Sequence, residues 1–248
     1  LRLPILELRS VTHLFANGIY GLRDVNLSIA SGSFVVLAGA NGSGKTILMR
    51  HLNGLAKATT GSVLLDGVNI LENLAETRRR VGLVFQDPDS QLLRETVARD
   101  VAFGPENLRL KRAEINRRVA DALAATGLVG FDRRRPHSLS GGEKRRLAVA
   151  GVLAMYPDVL VLDEPFTGLD WRGSARLIEV LLKLHAAGKT ILLITHDLDK
   201  MLAHANRLVL MEAGKITADG RPEKLISKVE NHGVRRPPGT ILSMTWAT

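Results

Sequence analysis

A chain of 248 residues, 45% of them hydrophobic, can bury one large core or a core with a smaller companion, and its lack of cysteine excludes disulfides, zinc–thiolate sites and a thiol nucleophile. The net charge of +9 falls in short clusters: Arg78-Arg79-Arg80, Arg133-Arg134-Arg135, Lys144-Arg145-Arg146 and Arg235-Arg236. Solvated faces, anionic lipid headgroups and nucleic acid compete as readings, the last weakened by an aromatic content of only 4%. No apolar run approaches the ~18 residues that span a bilayer, and Leu1-Arg2-Leu3-Pro4 lacks a signal-peptide core, so a soluble, cytoplasmic chain is expected.

Residues 5–13 and 22–29 read as strands, with Val25, Leu27 and Ile29 alternating with polar residues and Asn17-Gly18 marking the turn between them. Residues 34–38 form an apolar strand and 47–52 the first turns of a helix. A hairpin around Asp66-Gly67 and a buried strand at 81–85 follow. Strand signals then vanish from about 90 to 137, where Ile115, Val119 and Leu123 give one apolar helix face and Pro105 and Gly127 punctuate the segment. From 141 the pattern alternates: a helix over 142–155, a strand over 159–162, and a helix with Ala175, Ile178, Leu181 and Leu182 on one face that stops at Gly188. A strand over 191–194, a short helix over about 197–203 and a strand over 207–211 complete it. Alternating strands and helices imply a parallel sheet with right-handed crossovers. From His232 the periodicity is lost and a loosely packed tail is expected.

Between the strand at 34–38 and its helix stands Gly39-Ala40-Asn41-Gly42-Ser43-Gly44-Lys45-Thr46. Glycines let the backbone wrap closely and aim N–H groups at phosphate oxygens, and a helix N-terminus adds partial positive charge. Lys45 can reach the β- and γ-phosphates and the Thr46 hydroxyl can hold Mg²⁺. The chain therefore reads as a nucleoside triphosphate binder.

The strand at 159–162 ends in Asp163-Glu164. Asp163 is placed to orient Mg²⁺ or its water ligands, and Glu164, pointing elsewhere, can polarise an attacking water. Gln86 can ligate Mg²⁺ and sense the γ-phosphate; His196 can hydrogen-bond that phosphate. Taken alone, each also reads as an ordinary polar residue after a strand. Leu139-Ser140-Gly141-Gly142-Glu143 opens a helix and offers a second anion site in a chain with one phosphate loop. A dimer in which this turn closes on the partner's nucleotide accounts for both.

In this order, with Gly168-Leu169-Asp170 before His196, the motifs resemble the nucleotide-binding subunit of ABC transporters over about residues 5–225. The resemblance implies an α/β P-loop NTPase fold of the ABC type, with an antiparallel β subdomain and an inserted α-helical subdomain. The domain would span residues 1–230, the helical insertion about 90–140, and a tail 231–248. It implies an ATPase using ATP and Mg²⁺. Gly39, Asn41, Gly42, Ser43, Gly44, Lys45 and Thr46 would hold the phosphates, and Thr46, Gln86 and Asp163 would serve the metal. Glu164 would be the general base, with Gln86 and His196 completing the catalytic set. Ser140, Gly141 and Gly142 would act across the dimer, and Asp170 would link its two sites. Phe15 matches the aromatic that stacks on adenine, where the family more often has Tyr. Ile47 replaces a second hydroxyl after the loop, and Glu143 a commoner Gln.

Residues 51–55, 84–92 and 100–105 resemble more narrowly the ATPases of energy-coupling-factor importers, which take up cobalt, nickel or vitamins such as biotin. That resemblance implies a homodimer or a heterodimer with a paralogue. It also implies a transmembrane coupling protein docking near Asp87, Asp89, Gln91 and Leu92, and a substrate-binding membrane component. The chain would sit peripherally on the cytoplasmic face of the membrane, with a transition-metal cargo favoured and no nucleic-acid partner expected. A soluble ABC ATPase acting on nucleic acid or ribosomes is the alternative.

Overall fold

The structure, a computed structural model, describes residues 4–247; Leu1–Leu3, on which part of the N-terminal reading rests, lie outside them. Eleven-residue strands β1 (Pro4–Leu14) and β2 (Tyr20–Ala30) pair antiparallel. They are joined by β4 (Thr60–Leu65) and β5 (Val68–Asn69) in a sheet ordered β2-β1-β4-β5. The second sheet contains β3 (Phe34–Ala38), β6 (Val81–Val84), β7 (Val159–Asp163), β8 (Thr190–Ile194), β9 (Arg207–Glu212) and β10 (Lys215–Gly220). Its order is β10-β9-β3-β8-β7-β6, parallel except for the β9–β10 hairpin.

The strands β3, β7 and β8 are buried along their whole length. Their side chains alternate between two cores, as a period of two requires. Phe34, Val36, Leu160, Leu162, Ile191 and Leu193 face the helices α5 (Gly141–Leu153) and α6 (Trp171–Ala186). Val35, Leu37, Val159, Val161, Leu192 and Ile194 face α1 (Lys45–Leu52) and the small sheet, whose Leu6, Leu8, Leu22 and Leu27 close that core. Each such side chain contributes about 1.5–3 kcal/mol when fully buried. With so few aromatics, both cores are aliphatic.

The segment after β6 carries α3 (Val97–Asn107) and α4 (Arg112–Ala125), packed on α5. Ile115, Val119 and Leu123 are the buried face of α4, as the four-residue spacing predicts. Pro105 does not end its helix; α3 runs two residues past it, because a proline near the last turn removes only one backbone bond. Sequence reading missed α2 (Leu74–Arg80), the edge strand β10 and the short α7 (Pro222–Leu225).

Two further expectations are corrected. Residues 197–203 do not form a helix; only a 3-10 turn at Leu202–His204 is present. The segment after His232 is not loosely packed, because Val234 and Met244 are each 1% exposed and Trp246 packs on the core.

Candidate functional site

Strand β3 delivers the phosphate loop to the N-terminus of α1. Gly44 caps that helix in the left-handed region, at φ 103°, and a Cβ there would stand 2.6 Å from the Gly21 carbonyl oxygen. At Gly39 a Cβ would stand 2.2 Å from the Met211 carbonyl oxygen. The loop is thus wedged between the starts and ends of neighbouring strands, and only glycine fits at both contacts. Ser43 is turned under the loop, 4% exposed, with its amide donating to the Ala40 carbonyl. Lys45 is 7% exposed; its Nζ donates to the carbonyls of Gly39 at 2.7 Å and Ala40 at 2.9 Å. Burial lowers its pKa, against the pull of the Glu164 and Asp163 charges. An arriving phosphate offers this ammonium a full anionic partner in place of two carbonyl dipoles.

Strand β7, flanked by β6 and β8, ends at Asp163 beneath this loop. The Thr46 hydroxyl donates to Asp163 Oδ2 at 2.8 Å. Burial raises the Asp163 pKa; the Thr46 bond and the Lys45 charge oppose that, while Glu164 adds to it. A hydroxyl, a carboxylate and the Gln86 amide bordering one cavity form the hard oxygen donor set that suits Mg²⁺. Among the described residues no group of three or more His, Cys, Asp or Glu could hold a metal by itself, so such an ion would share phosphate and water oxygens.

Glu164 follows at φ 45°, an uncommon conformation for a residue with a side chain, and its carboxylate is fully engaged. Oε1 accepts from the His196 amide at 3.0 Å and lies 2.6 Å from His196 Nδ1; Oε2 accepts from the Thr195 hydroxyl at 3.1 Å. Glu164 is 8% exposed, whereas the His196 side chain is half exposed. Behind them the Arg145 guanidinium donates to the carbonyls of Gln86 at 2.5 Å, Thr167 at 2.7 Å and, more weakly, Glu164 at 3.4 Å. One side chain of α5 therefore ties together the turn after β6 and the segment after β7.

A cavity of about 410 Å³ brings together Phe15, Asn41, Gly42, Gly44, Lys45, Thr46, Gln86, Asp163, Glu164 and His196. Phe15 is 42% exposed; its ring lies on Gly21 and edge-on to His13 at 4.7 Å. Ile19 and Tyr20 share the mouth, because the turn at Asn17-Gly18 folds them back towards Phe15. Sequence reading missed both, along with Thr195 and Arg145. The turn was the available signal for Tyr20; nothing in one dimension marks a buried threonine or arginine.

Ser140, Gly141, Gly142 and Asp170 do not border this cavity. Ser140 caps α5 through a reciprocal box with Glu143, and Asp170 caps α6 by accepting from the Gly173 amide at 2.7 Å. These two helix starts adjoin, since a Cβ on Gly142 would lie 3.7 Å from Gly173 Cα. They form a second exposed surface of helix N-termini outside the cavity at the chain's own phosphate loop.

The basic clusters are partly spent inside the protein. Arg145 and Arg146 are each 5% exposed, and Arg80 bridges Asp158 and Asp66. The residues expected at a docking turn are also committed: Asp89 pairs with Lys144 at 2.8 Å, and the Gln91 amide bonds Leu83 and Phe85 backbone atoms. Beside them lies a groove of about 400 Å³ between the sheet and the helical segment, lined by Leu55, Phe85, Leu93, Phe103 and Met155. Leu55 and Leu93 are 49% and 64% exposed. Among the described residues no helix is long and apolar enough to cross a membrane.

Residues 22–167 match the family model described as ABC transporter. An energy-coupling factor transporter ATP-binding protein EcfA of Methanococcus maripaludis is 42% identical over 92% of this chain and 83% of its own length. The protein of the same name from Methanocaldococcus jannaschii is 43% identical over 91% and 82%. Among solved structures, cbiO1 from Clostridium perfringens, part of the ABC transporter complex cbiONQ, superposes with a TM-score of 0.83 at 35% identity, covering 92% of both chains. A dimeric ATP-binding cassette in a post-hydrolysis state with ADP and Pi superposes with a TM-score of 0.78 at 29% identity, covering 87% of this chain and 98% of that one.

Proposed function

Because the chain belongs to the ABC transporter family, as an ATP-binding and ATP-hydrolysing subunit of the EcfA type, we propose that it powers uptake of a micronutrient. The favoured cargo is a transition-metal cation, cobalt or nickel, ahead of a vitamin such as biotin. The cbiO1 likeness supports a place within an ABC transporter complex. We assign residues 1–230 to the ATP-binding domain, about 90–140 to its helical insertion and 231–248 to a C-terminal segment. The chain works as a homodimer or with a paralogue, on the cytoplasmic face of the membrane, with a transmembrane coupling protein and a substrate-binding membrane component.

The observation that carries the reading is the fully engaged Glu164 carboxylate beside the phosphate loop. Lys45 and the loop amides hold the β- and γ-phosphates; Phe15, with Tyr20 beside it, covers the adenine. Mg²⁺, when held by Thr46, Asp163 and Gln86, neutralises charge on the phosphates. Glu164 takes the proton of the attacking water, and His196 leaves Glu164 to bond the γ-phosphate oxygens. Ser140 and Gly142 of one chain close over the nucleotide of the other, with Asp170 between the two sites. Closure is transmitted to the coupling protein through the groove beside the Gln86 turn.

Glu164→Gln should lower turnover by about 10²–10⁴-fold while ATP binding persists and the closed dimer accumulates in light scattering. Turnover near the parent value would overturn the assigned base. Leu55→Arg with Leu93→Arg, both on exposed positions of the groove, should abolish co-purification with the coupling protein and leave ATP binding intact. Undiminished co-purification would remove the groove from the account.

A further inference from the structure

We propose that Trp246 is a positioning residue for hydrolysis: through Lys200 and Asp197 it holds the 195–197 turn that orients the Glu164 carboxylate. The inference rests on the reading of Glu164 as the base. Residues 197–203, expected to be helical, hold only the 3-10 turn at their end. Helix-type bonds are few there, the Leu202 amide to the Leu198 carbonyl and the Leu202–His204 turn, so the backbone of 197–204 needs other partners. The C-terminal segment supplies them: the Ala203 amide donates to the Met244 carbonyl at 3.1 Å, and the Trp246 amide to the Lys200 carbonyl at 3.1 Å. His204 Nε2 and the Thr245 hydroxyl lie 2.7 Å apart.

The side chains carry the link inward. Lys200 is 8% exposed, and its ammonium stands 4.7 Å from the centre of the Trp246 ring and 5.9 Å from that of Phe166. Phe166 is 3% exposed and lies two residues beyond Glu164. The same ammonium donates to the Asp197 carboxylate. The Asp197 amide donates to the Thr195 hydroxyl at 3.0 Å, and that hydroxyl donates to Glu164 Oε2. One cation–ring contact and three hydrogen bonds thus join an indole near the end of the described chain to the carboxylate that meets water. A buried cation near two rings, the closer being that of Trp246, is well held, because desolvation strengthens its attraction to the ring faces.

At its other end the same segment touches the phosphate loop, where the Ala40 amide donates to the His232 carbonyl at 2.9 Å. Removing the whole segment would therefore disturb nucleotide binding as well. A point change at the indole isolates the positioning role.

Trp246→Ala in the full chain should lower kcat for ATP hydrolysis about fivefold, the loss of one desolvated cation–ring contact, with KM for ATP unchanged. Trp246→Phe should restore most of the rate, since a ring still faces Lys200. Should Trp246→Ala not yield folded protein, Lys200→Gln makes the same test from the other side of the contact. A second readout needs no turnover. The chain has two tryptophans, so Trp171→Phe leaves Trp246 as sole reporter. In a Trp171→Phe, Glu164→Gln chain, ATP should change the Trp246 emission as the turn is drawn towards the nucleotide. An unchanged kcat in Trp246→Ala, parallel changes in kcat and KM, no recovery in Trp246→Phe, or emission indifferent to ATP would each overturn the proposal. Turnover surviving Glu164→Gln alone is a different failure, of the assigned base, and the positioning role falls with it.

Discussion

Arg145→Met keeps the length and apolar stem of the side chain and removes its five donors. In the parent, that guanidinium makes two short bonds, to Gln86 and Thr167, and a long one to Glu164. Each charged bond contributes about 1.5–3 kcal/mol, but burial of the cation costs part of that back, as its lowered pKa indicates. Gln86 and Thr167 are exposed, so water can replace the lost donor at both carbonyls. A net destabilisation of about 2 kcal/mol remains, which in a chain of this size lowers Tm by about 4–8 °C. Turnover should suffer more, about 10- to 100-fold, because the Gln86 turn and the Glu164 segment lose their common anchor and small misplacements are costly at a reacting centre. Arg145→Lys, able to keep roughly one bond, should fall between. Thermal unfolding and steady-state phosphate release measure the two effects. A variant with the parent's Tm and kcat would refute the idea that Arg145 organises the site.

Gly44→Ala forces a Cβ into a left-handed residue 2.6 Å from the Gly21 carbonyl oxygen. It should abolish nucleotide binding in equilibrium dialysis, and parent-like affinity would contradict the wedged-loop description. Asp199 has a buried Oδ1 without a donor, and burial together with the neighbouring Asp197 raises its carboxyl pKa to about 6. Its folded value lies above its unfolded one, so this group favours folding fully below about pH 4, and that contribution is lost as pH rises through 6. Asp199→Asn should therefore raise Tm at pH 7.5, with the advantage shrinking as pH falls below 6; a Tm difference that does not change with pH would count against this assignment.

What one dimension reveals here is what short spacing determines. The phosphate loop, the apolar strand ending in Asp163-Glu164 and the period-two faces of β3, β7 and β8 depend on neighbours in the chain, and they were legible. Residues 197–203 carry a helical-looking pattern, yet Asp197 and Lys200 pair with each other and the backbone bonds Met244 and Trp246 instead. That outcome depends on residues more than forty positions away. Arg145 shows the same limit. In the triplet Lys144-Arg145-Arg146 it is indistinguishable from a solvated arginine, and only the packing of α5 behind two loops reveals that it is buried and spent on three carbonyls. The C-terminal segment hid for a related reason: Val234, Met244 and Trp246 are buried or packed at irregular intervals, so no period announces them.

The measurement that tests the central proposal most directly is identification of the partners that co-purify with the tagged chain from detergent-solubilised membranes of its own host, by mass spectrometry. The account predicts a transmembrane coupling protein together with a small substrate-binding membrane protein, and the identity of the second would name the cargo class. Recovery of soluble partners or nucleic acid alone would contradict the importer assignment while leaving the ATPase in place.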